Sequence, residues 1–245
     1  MKNPVSNLKF KQYLYQKLAI KGNSPKTAAG FTLIEMLVVA LMIGIIAVIA
    51  APGWLGFVEQ RRANKANDVV LGAIQEAQSQ AKNKKVSYSI SVRTKDRVPA
   101  IAVYQAKKAD PNDRNKQIDA KPEESDWRSL GQDLELKPGQ IWLGTNAANS
   151  NNAGNDKIQA APDNDGVTVV TFDYMGALQV TPNAPTPNLG SKSQGLIIAV
   201  AATKPDDPNA PNPVTRRCVK VSTLIGSIQA GKIDSTGPAD ECKPI

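Results

Sequence analysis

Gly30-FTLIEMLVVALMIGIIAVIA-Ala51 is the longest apolar run of the 245-residue chain. From Phe31 to Ala51 it has 21 residues, among which Glu35 is the only charged side chain and Thr32 the only other polar one. As an α-helix with a rise of about 1.5 Å per residue, the run would be roughly 31 Å long, enough to cross the hydrocarbon core of a bilayer. It therefore predicts a membrane-spanning helix.

Three details distinguish this run from an ordinary membrane helix. Gly30 directly precedes it, Phe31 opens it, and the carboxylate of Glu35 lies on its fifth residue. An ionised side chain within hydrocarbon is costly and usually has a function. One interpretation left open is a generic anchor whose single glutamate lies near the membrane interface.

The run G-F-T-L-I-E followed by an unbroken apolar helix resembles the N-terminus of type IV prepilins, a family that includes pilins and the pseudopilins of type II secretion. The resemblance implies cleavage between Gly30 and Phe31 by a membrane prepilin peptidase and N-methylation of the new Phe31 amine. It also matches Glu35 with the family's glutamate of filament assembly. In a filament, Glu35 of one subunit could meet the Phe31 amine of its neighbour, and such a buried pair would favour one axial register over others.

Residues 1–30 carry six lysines and no acidic residue, which accounts for six of the chain's eight net positive charges and leaves +2 for residues 31–245. Lysines before an apolar helix keep that end in the cytoplasm. The sequence thus predicts a cytoplasmic leader, a single span in the inner membrane and a periplasmic C-terminal domain. Because most of the positive charge lies in residues 1–30, we do not interpret it as a sign of nucleic-acid binding.

Pro52 follows the apolar run, and proline removes a helical hydrogen bond and crowds the preceding turn. A helix break near this residue is expected, either as a pilin-like segment that loses helicity on assembly or as a simple break at the membrane interface. Beyond it the helix resumes to residue 84, since small and apolar residues recur at spacings of three and four. We expect this face to lie on a sheet; it comprises Ala63, Ala66, Val70, Ala73, Ile74, Ala77 and Ala81.

After the helix, apolar residues alternate or cluster in short runs separated by polar loops, which is typical of an antiparallel sheet domain. The predicted strand regions are 86–92 with 98–104 as a hairpin, 141–143, 167–172 with 177–180 as a second hairpin, a buried strand at 195–202, and a final pair at 214–222 and 224–229. Residues 145–166, rich in Asn, are predicted to form a surface loop.

The segments TFDYMGAL (171–178) and RRCVKVSTLIGSIQAGK (216–232) resemble the C-terminal half of the GspH/FimT family of minor pilins and pseudopilins. In some members of that family, arginines after the hairpin glycine contribute to DNA binding. Here Gly226 is followed by Ser227 and Gln229, which does not favour nucleic acid as a partner. Arg216 and Arg217 remain, and because neighbouring strand residues point to opposite faces, we interpret them as a solvated edge. A DNA-uptake minor pilin stays the alternative within this class.

The chain has two cysteines, Cys218 and Cys242, and no histidine. A zinc site of Cys and His ligands, a Ser-His-Asp triad and a Cys-His centre are therefore excluded, and no catalytic residue, metal site or cofactor is predicted. The remaining alternative of another class, a membrane-anchored periplasmic enzyme, lacks a recognisable catalytic group. In an oxidising compartment a Cys218–Cys242 disulfide is expected, as in many pilins; two free buried thiols are the alternative.

The sequence therefore predicts an α+β, pilin-like fold with three parts. These are a prepilin leader peptide at 1–30, a long N-terminal helix at 31–84 whose half 31–51 is transmembrane, and a C-terminal β-sheet domain at 85–245. The expected function is that of a structural (minor) subunit of a type IV pilus or a type II secretion pseudopilus. Its expected partners are other pilin or pseudopilin subunits, the prepilin peptidase, the inner-membrane assembly platform and the membrane, and its final location is a cell-surface pilus or a periplasmic pseudopilus.

Overall fold

The computed structural model describes residues 30–110, 113, 116–131, 136–163, 165–180, 186–191, 194–237 and 239–244; for residues 50–52 it describes the backbone only. The predicted leader lies outside the described residues except for Gly30. By its internal contacts the chain divides into two compact units, residues 1–51 and residues 52–245, which are described separately below.

The predicted long helix is present as α1, Leu33–Lys84. In the first unit, the side chains of α1 up to Ile49 are exposed on all sides. The helix ends where Lys85 adopts a positive φ of 57°, a left-handed conformation that commonly terminates helices, and Lys82 and Lys84 in the last turn suit the negative end of the helix dipole. The Pro52 backbone lies within the helix bounds, and the predicted break at this residue stays a prediction.

In the second unit, one face of α1 is buried, and it is the face that the spacing predicts. All seven residues of the predicted stripe are 5% exposed or less: Ala63, Ala66, Val70, Ala73, Ile74, Ala77 and Ala81. Five of them are alanines, whose short side chains let the helix backbone come close to the strands. The prediction that this face lies on a sheet is confirmed.

Among the described residues, twelve strands follow the helix. In chain order they are β1 Tyr88–Lys95, β2 Val98–Gln105, β3 Lys107–Ala109, β4 Gln117–Asp119, β5 Trp127–Ser129, β6 Ile141–Thr145, β7 Gln159–Ala160, β8 Val167–Phe172, β9 Leu196–Ala202, β10 Arg217–Val221, β11 Ile228–Asp234 and β12 Glu241–Pro244. Short 3₁₀-helices occupy Glu124–Asp126 and Pro213–Thr215.

The strands form a four-stranded sheet of order β5-β2-β1-β8, a six-stranded sheet of order β12-β11-β10-β9-β6-β7 and the small pair β3-β4. Every strand pairing within the described residues is antiparallel. The first predicted hairpin is confirmed as β1 and β2, which begin close to their predicted positions. The buried apolar strand expected at 195–202 is β9, all of whose residues are buried.

A single apolar core joins α1 to both larger sheets. Val70 and Ile74 of the helix lie in the same cluster as Ile90 of β1, Ile198 of β9 and Val219 of β10. A second, smaller cluster covers the opposite face of the six-stranded sheet and contains Trp142, Ile158, Ile197, Ala199, Ala201, Cys218 and Cys242. The predicted α+β arrangement, an N-terminal helix packed on a C-terminal antiparallel sheet domain, is present.

The prediction that residues 145–166 form a surface loop is wrong in part, because some of these residues are buried. Asn146 is fully buried: its Oδ1 accepts a hydrogen bond from the Ile197 amide at 2.8 Å, and its Nδ2 donates to the Gly195 carbonyl at 2.8 Å. Asn151 is buried in the same way and donates to the Thr171 carbonyl at 3.0 Å. An asparagine amide offers one donor and one acceptor side, as the backbone does, so it can satisfy strand groups that would otherwise lack partners.

The last strand pair is confirmed, but with later bounds than predicted. Residues 213–215 form a 3₁₀-helix, residues 223–226 form the turn, and β11 extends to Asp234. The second predicted hairpin is only partly formed, because residues 177–180 make a single bridge, Phe172 with Leu178, instead of a strand. Strand β12 was not predicted at all.

Candidate functional site

The residues before α1 form an exposed, non-helical approach to the helix. Gly30, Phe31 and Thr32 precede the first helical residue, Leu33, and all are exposed. Thr32 caps the helix, because its Oγ1 accepts a hydrogen bond from the Glu35 amide at 3.2 Å and its carbonyl accepts one from the Met36 amide at 3.2 Å. The Gly30–Phe31 peptide bond is thereby held outside the helix.

Glu35 lies in the first turn of α1. A carboxylate is favoured there because the helix dipole is positive at its N-terminus and the first amides lack helical partners. The capping role of Thr32 was missed from the sequence. The signal was available in the T-x-x-E spacing of Thr32 and Glu35, which is typical of helix N-termini.

The following turns of α1 expose a large apolar surface. Phe31 is 73% and Ile49 77% exposed, and between them the large apolar side chains are exposed at every position where they occur. Apolar surface of this extent requires a partner or a lipid environment. Among the described residues, no one helix has the length and hydropathy of a membrane span, and Leu33–Ile49 and Gly53–Lys84 meet these criteria together as a bent pair.

Cys218 and Cys242 are joined by a disulfide with a Cα–Cα distance of 5.9 Å. Cys218 belongs to β10 and Cys242 to β12, and β11 lies between these strands in the sheet. Both cysteines are buried in the smaller apolar cluster. The bond therefore ties the C-terminal strand to the core of the six-stranded sheet.

Arg216 and Arg217 do not form a solvated edge, and that interpretation was wrong. Arg217 is 3% exposed; its Nε donates to Oδ1 of Asn64 on α1 at 2.7 Å, and its Nη1 donates to the Arg216 carbonyl at 3.1 Å. Arg216 donates to Oγ of Ser235 at 2.6 Å, and its Nη2 lies 3.6 Å from Oδ2 of Asp240. Desolvation lowers the pKa of Arg217. Both guanidinium groups thus have partners within the chain, since a buried cation needs such partners.

Asp240 is the carboxylate that connects the C-terminal strand with the loop around residue 158. Its Oδ2 accepts a hydrogen bond from the Ile158 amide at 2.8 Å, and Lys157 Nζ lies 3.3 Å from its Oδ1. Burial by itself raises the pKa of the Asp240 carboxyl, but the Ile158 amide, Arg216 and Lys157 outweigh burial, so its pKa lies below the usual value. The carboxylate is therefore ionised at neutral pH.

The structure groups the predicted site residues in two places. Gly30, Phe31 and Glu35 lie together at the start of α1, and Cys218 and Cys242 are bonded in the sheet domain. Within the described part of the chain, no three His, Cys, Asp or Glu side chains are placed to hold a metal ion.

The prokaryotic N-terminal methylation motif matches residues 25–51, about a tenth of the chain. Comparison with curated proteins and with solved structures finds no significant match. The motif supports a type IV pilin-like protein that is cleaved by prepilin peptidase and assembles with other pilin subunits. It implies a membrane-anchored N-terminal helix and points to a structural pilin and not to an enzyme.

Proposed function

We propose that the chain is a minor structural subunit of a type IV pilus or a type II secretion pseudopilus, cleaved after Gly30, N-methylated on Phe31 and assembled through its N-terminal helix. The observation that carries this proposal is the order of features at the start of α1. A non-helical, exposed Gly30–Phe31 bond is followed by a capped helix with one carboxylate, Glu35, and an otherwise apolar exposed surface.

Cleavage at this bond would create a positive amine on Phe31, four residues before Glu35. In a bundle of such helices, the apolar surfaces would cover one another, and each carboxylate would need a positive partner. The Phe31 amine of a neighbouring subunit supplies that partner. The pair need not add much stability, but a register that left Glu35 unpaired in the apolar bundle would be penalised.

The lysine-rich residues 1–30 support an orientation with this end in the cytoplasm and the sheet domain in the periplasm. The span 31–51 would anchor the subunit in the inner membrane before the assembly platform moves it into a filament. The disulfide between Cys218 and Cys242 suits that oxidising side of the membrane.

The resemblance of residues 171–178 and 216–232 supports the GspH/FimT type within this function. The turn at Asp173–Gly176 follows β8, and Gly226 closes the turn between β10 and β11 with a φ of 78°. Gln78 of α1 donates hydrogen bonds to the Gly176 carbonyl at 2.8 Å and to the Gly226 carbonyl at 2.9 Å, so the helix holds both turns together. These two turns lie in the segments that carry the resemblance.

Mass spectrometry of the membrane-extracted protein tests this function. The expected mature N-terminus is N-methyl-Phe31; a terminus at Met1 or after Ala51 would refute the proposal. Changing Gly30 to leucine should block cleavage, because a small side chain is expected at this position. Gly53→Leu is the matched control, since a Cβ at Gly53 meets no atom within 4 Å, and it should be processed normally.

A further inference from the structure

The four-stranded sheet has a polar face that is buried, and the filament function proposed above makes no use of it. Along β1, Ile90 and Val92 point into the main core. Ser89, Ser91 and Arg93 alternate with them and point to the other face, yet they are only 4%, 1% and 6% exposed. Buried polar side chains need partners, and the partners of Ser91 and Arg93 line a cavity.

Three hydroxyl groups form a closed ring on this face. Ser91 Oγ lies 3.0 Å from Tyr104 Oη and 2.9 Å from Thr168 Oγ1, and Tyr104 Oη lies 3.0 Å from Thr168 Oγ1. Each hydroxyl has one hydrogen to donate and two lone pairs, so each can donate to the next around the ring. The donors are then all used, and each oxygen keeps one lone pair. The ring therefore offers acceptors to a ligand that brings O–H or N–H donors.

Beside the ring, Arg93, Glu124 and Trp127 form one wall of the cavity. Arg93 makes a two-pronged contact with Glu124, at 3.0 and 2.7 Å, and its guanidinium lies 4.1 Å from the centre of the Trp127 ring. The hydrogen bond from Arg93 lowers the pKa of Glu124 to about 2, so the carboxylate stays ionised and paired near neutral pH. The Arg93–Glu124 pair of this wall thus carries no net charge.

The ring and the wall line a cavity of about 260 Å³ that is partly open to solvent, with Lys121, Pro122, Asp165 and Gly166 on its other sides. Gly166 has a φ of 71°, and a Cβ there would lie 2.7 Å from the Trp127 ring, so a larger residue would disturb that wall. The two cations and two carboxylates that line the cavity balance each other. The volume is slightly below the range of about 300–1,000 Å³ typical of drug-sized ligands, which indicates a ligand of one small ring.

We propose that this cavity binds a neutral saccharide unit, with sugar hydroxyls donating to the lone pairs of Ser91, Tyr104 and Thr168. A sugar ring carries many O–H donors, has no charge, and has apolar C–H faces that can lie against Pro122. A charged small molecule would be repelled by the two lining groups of its own sign, which offset the attraction of the other two. The inference is independent of the proposed function.

Saturation-transfer NMR on the full chain tests the proposal. The protein is held in dodecylphosphocholine micelles, because sugar-headed detergents would compete. The probes are the methyl β-pyranosides of glucose, galactose and N-acetylglucosamine, with glucuronate and glucosamine as charged comparators. At least one methyl glycoside should bind with a dissociation constant on the order of 1 mM, and the charged sugars should bind more weakly.

Two substitutions with matched controls locate the site. Tyr104→Phe and Ser91→Ala each remove a ring oxygen and should weaken binding at least about fivefold. Tyr88→Phe and Ser89→Ala make the same chemical changes at hydroxyls that bond elsewhere, to Lys84 and Thr171, and should leave binding unchanged. Tyr104→Phe is decisive if Ser91→Ala fails to fold, because phenylalanine keeps the ring volume.

Three outcomes would overturn the proposal. The first is the absence of binding by any of the three methyl glycosides at about 50 mM, far above the expected dissociation constant. The second is tighter binding of glucuronate or glucosamine, which would assign the cavity to a charged ligand. The third is an equal loss of binding in the Tyr104→Phe and Tyr88→Phe chains.

Discussion

Arg217 Nε donates a hydrogen bond of 2.7 Å to Asn64 Oδ1, and this bond fastens β10 to α1. Because Arg217 is almost fully buried, loss of the asparagine oxygen would leave a charged donor without its partner. Asn64→Ala should therefore lower the free energy of unfolding by about 1–3 kcal/mol, as measured by chemical denaturation in a fixed detergent.

Arg128→Ala is the comparison for that experiment. Arg128 also links a strand to α1, through a 2.7 Å contact with Glu76, but its side chain is half exposed. Its loss should cost less than about 1 kcal/mol. Equal effects of the two substitutions would contradict the argument from burial.

The same bonding pattern predicts weak DNA binding by the processed chain. Arg216 and Arg217 bond Ser235, Asp240 and Asn64 within the chain. Cleavage of the leader would also remove six lysines. Residues 31–245 carry a net charge of only +2, so few contacts with a phosphate backbone can form at the same time. A gel-shift titration at about 150 mM salt should show no complex with a dissociation constant below about 1 µM.

Lys220 is a further cation, on β10. A much tighter complex that is abolished by Arg216→Ala and Lys220→Ala would contradict this prediction. It would favour the DNA-uptake alternative.

The disulfide should account for a substantial part of the sheet domain's stability. It closes a loop with a sequence separation of 24 residues, for which the chain-entropy model gives about 3–4 kcal/mol. Cys218→Ala, Cys242→Ala and the double substitution should all lower the free energy of unfolding by similar amounts, because each breaks the same cross-link. This prediction would be contradicted if the double substitution cost the sum of the two single ones, or if both thiols were fully alkylated in the unreduced protein.

The parts of the fold that were predicted from the sequence have local periodicity. The alanine stripe of α1 repeats every three or four residues, and the β1–β2 hairpin alternates every two, so both can be recognised within one segment. Glu35 and the Gly30–Phe31 bond were identified as candidates in a similar way, because the methylation motif is contiguous.

The missed features depend on segments distant in sequence. Asn146 is buried because its amide bonds the strand that begins 50 residues later, and Ser91 is buried because the segment around Trp127 covers its face. Strand β12 has only four residues and alternates weakly; its place is fixed by pairing with β11 and by the disulfide. Neither the pattern nor the composition of these segments carries that information.

Glu35→Gln should impair assembly while leaving cleavage intact. The glutamine removes the charge that would pair with the neighbouring Phe31 amine but keeps the size of the side chain. We expect the yield of this chain in sheared filaments to fall about tenfold or more, which corresponds to about 1.4 kcal/mol, while mass spectrometry still finds Phe31 at the N-terminus. The control is Glu59→Gln, a glutamate further along α1 that accepts a hydrogen bond from Asn212. Equal filament yields from the two variants would contradict the pairing.

The pH dependence of stability should reveal Asp240. The folded-state pKa of this carboxyl lies below its unfolded value of about 3.9, so the folded state favours the ionised form. Its contribution is therefore present above the unfolded pKa and is lost as the pH falls through the folded-state pKa. Between about pH 5 and pH 3, the free energy of unfolding of the wild-type chain should fall more steeply than that of Asp240→Asn.

At pH 7 the variant should be the less stable, because an amide pairs less well with Arg216 and Lys157 and cannot offer two acceptor oxygens. Parallel curves for the two chains from pH 7 to pH 3 would show that the contacts of Asp240 with Ile158 and Arg216 do not favour its ionised form.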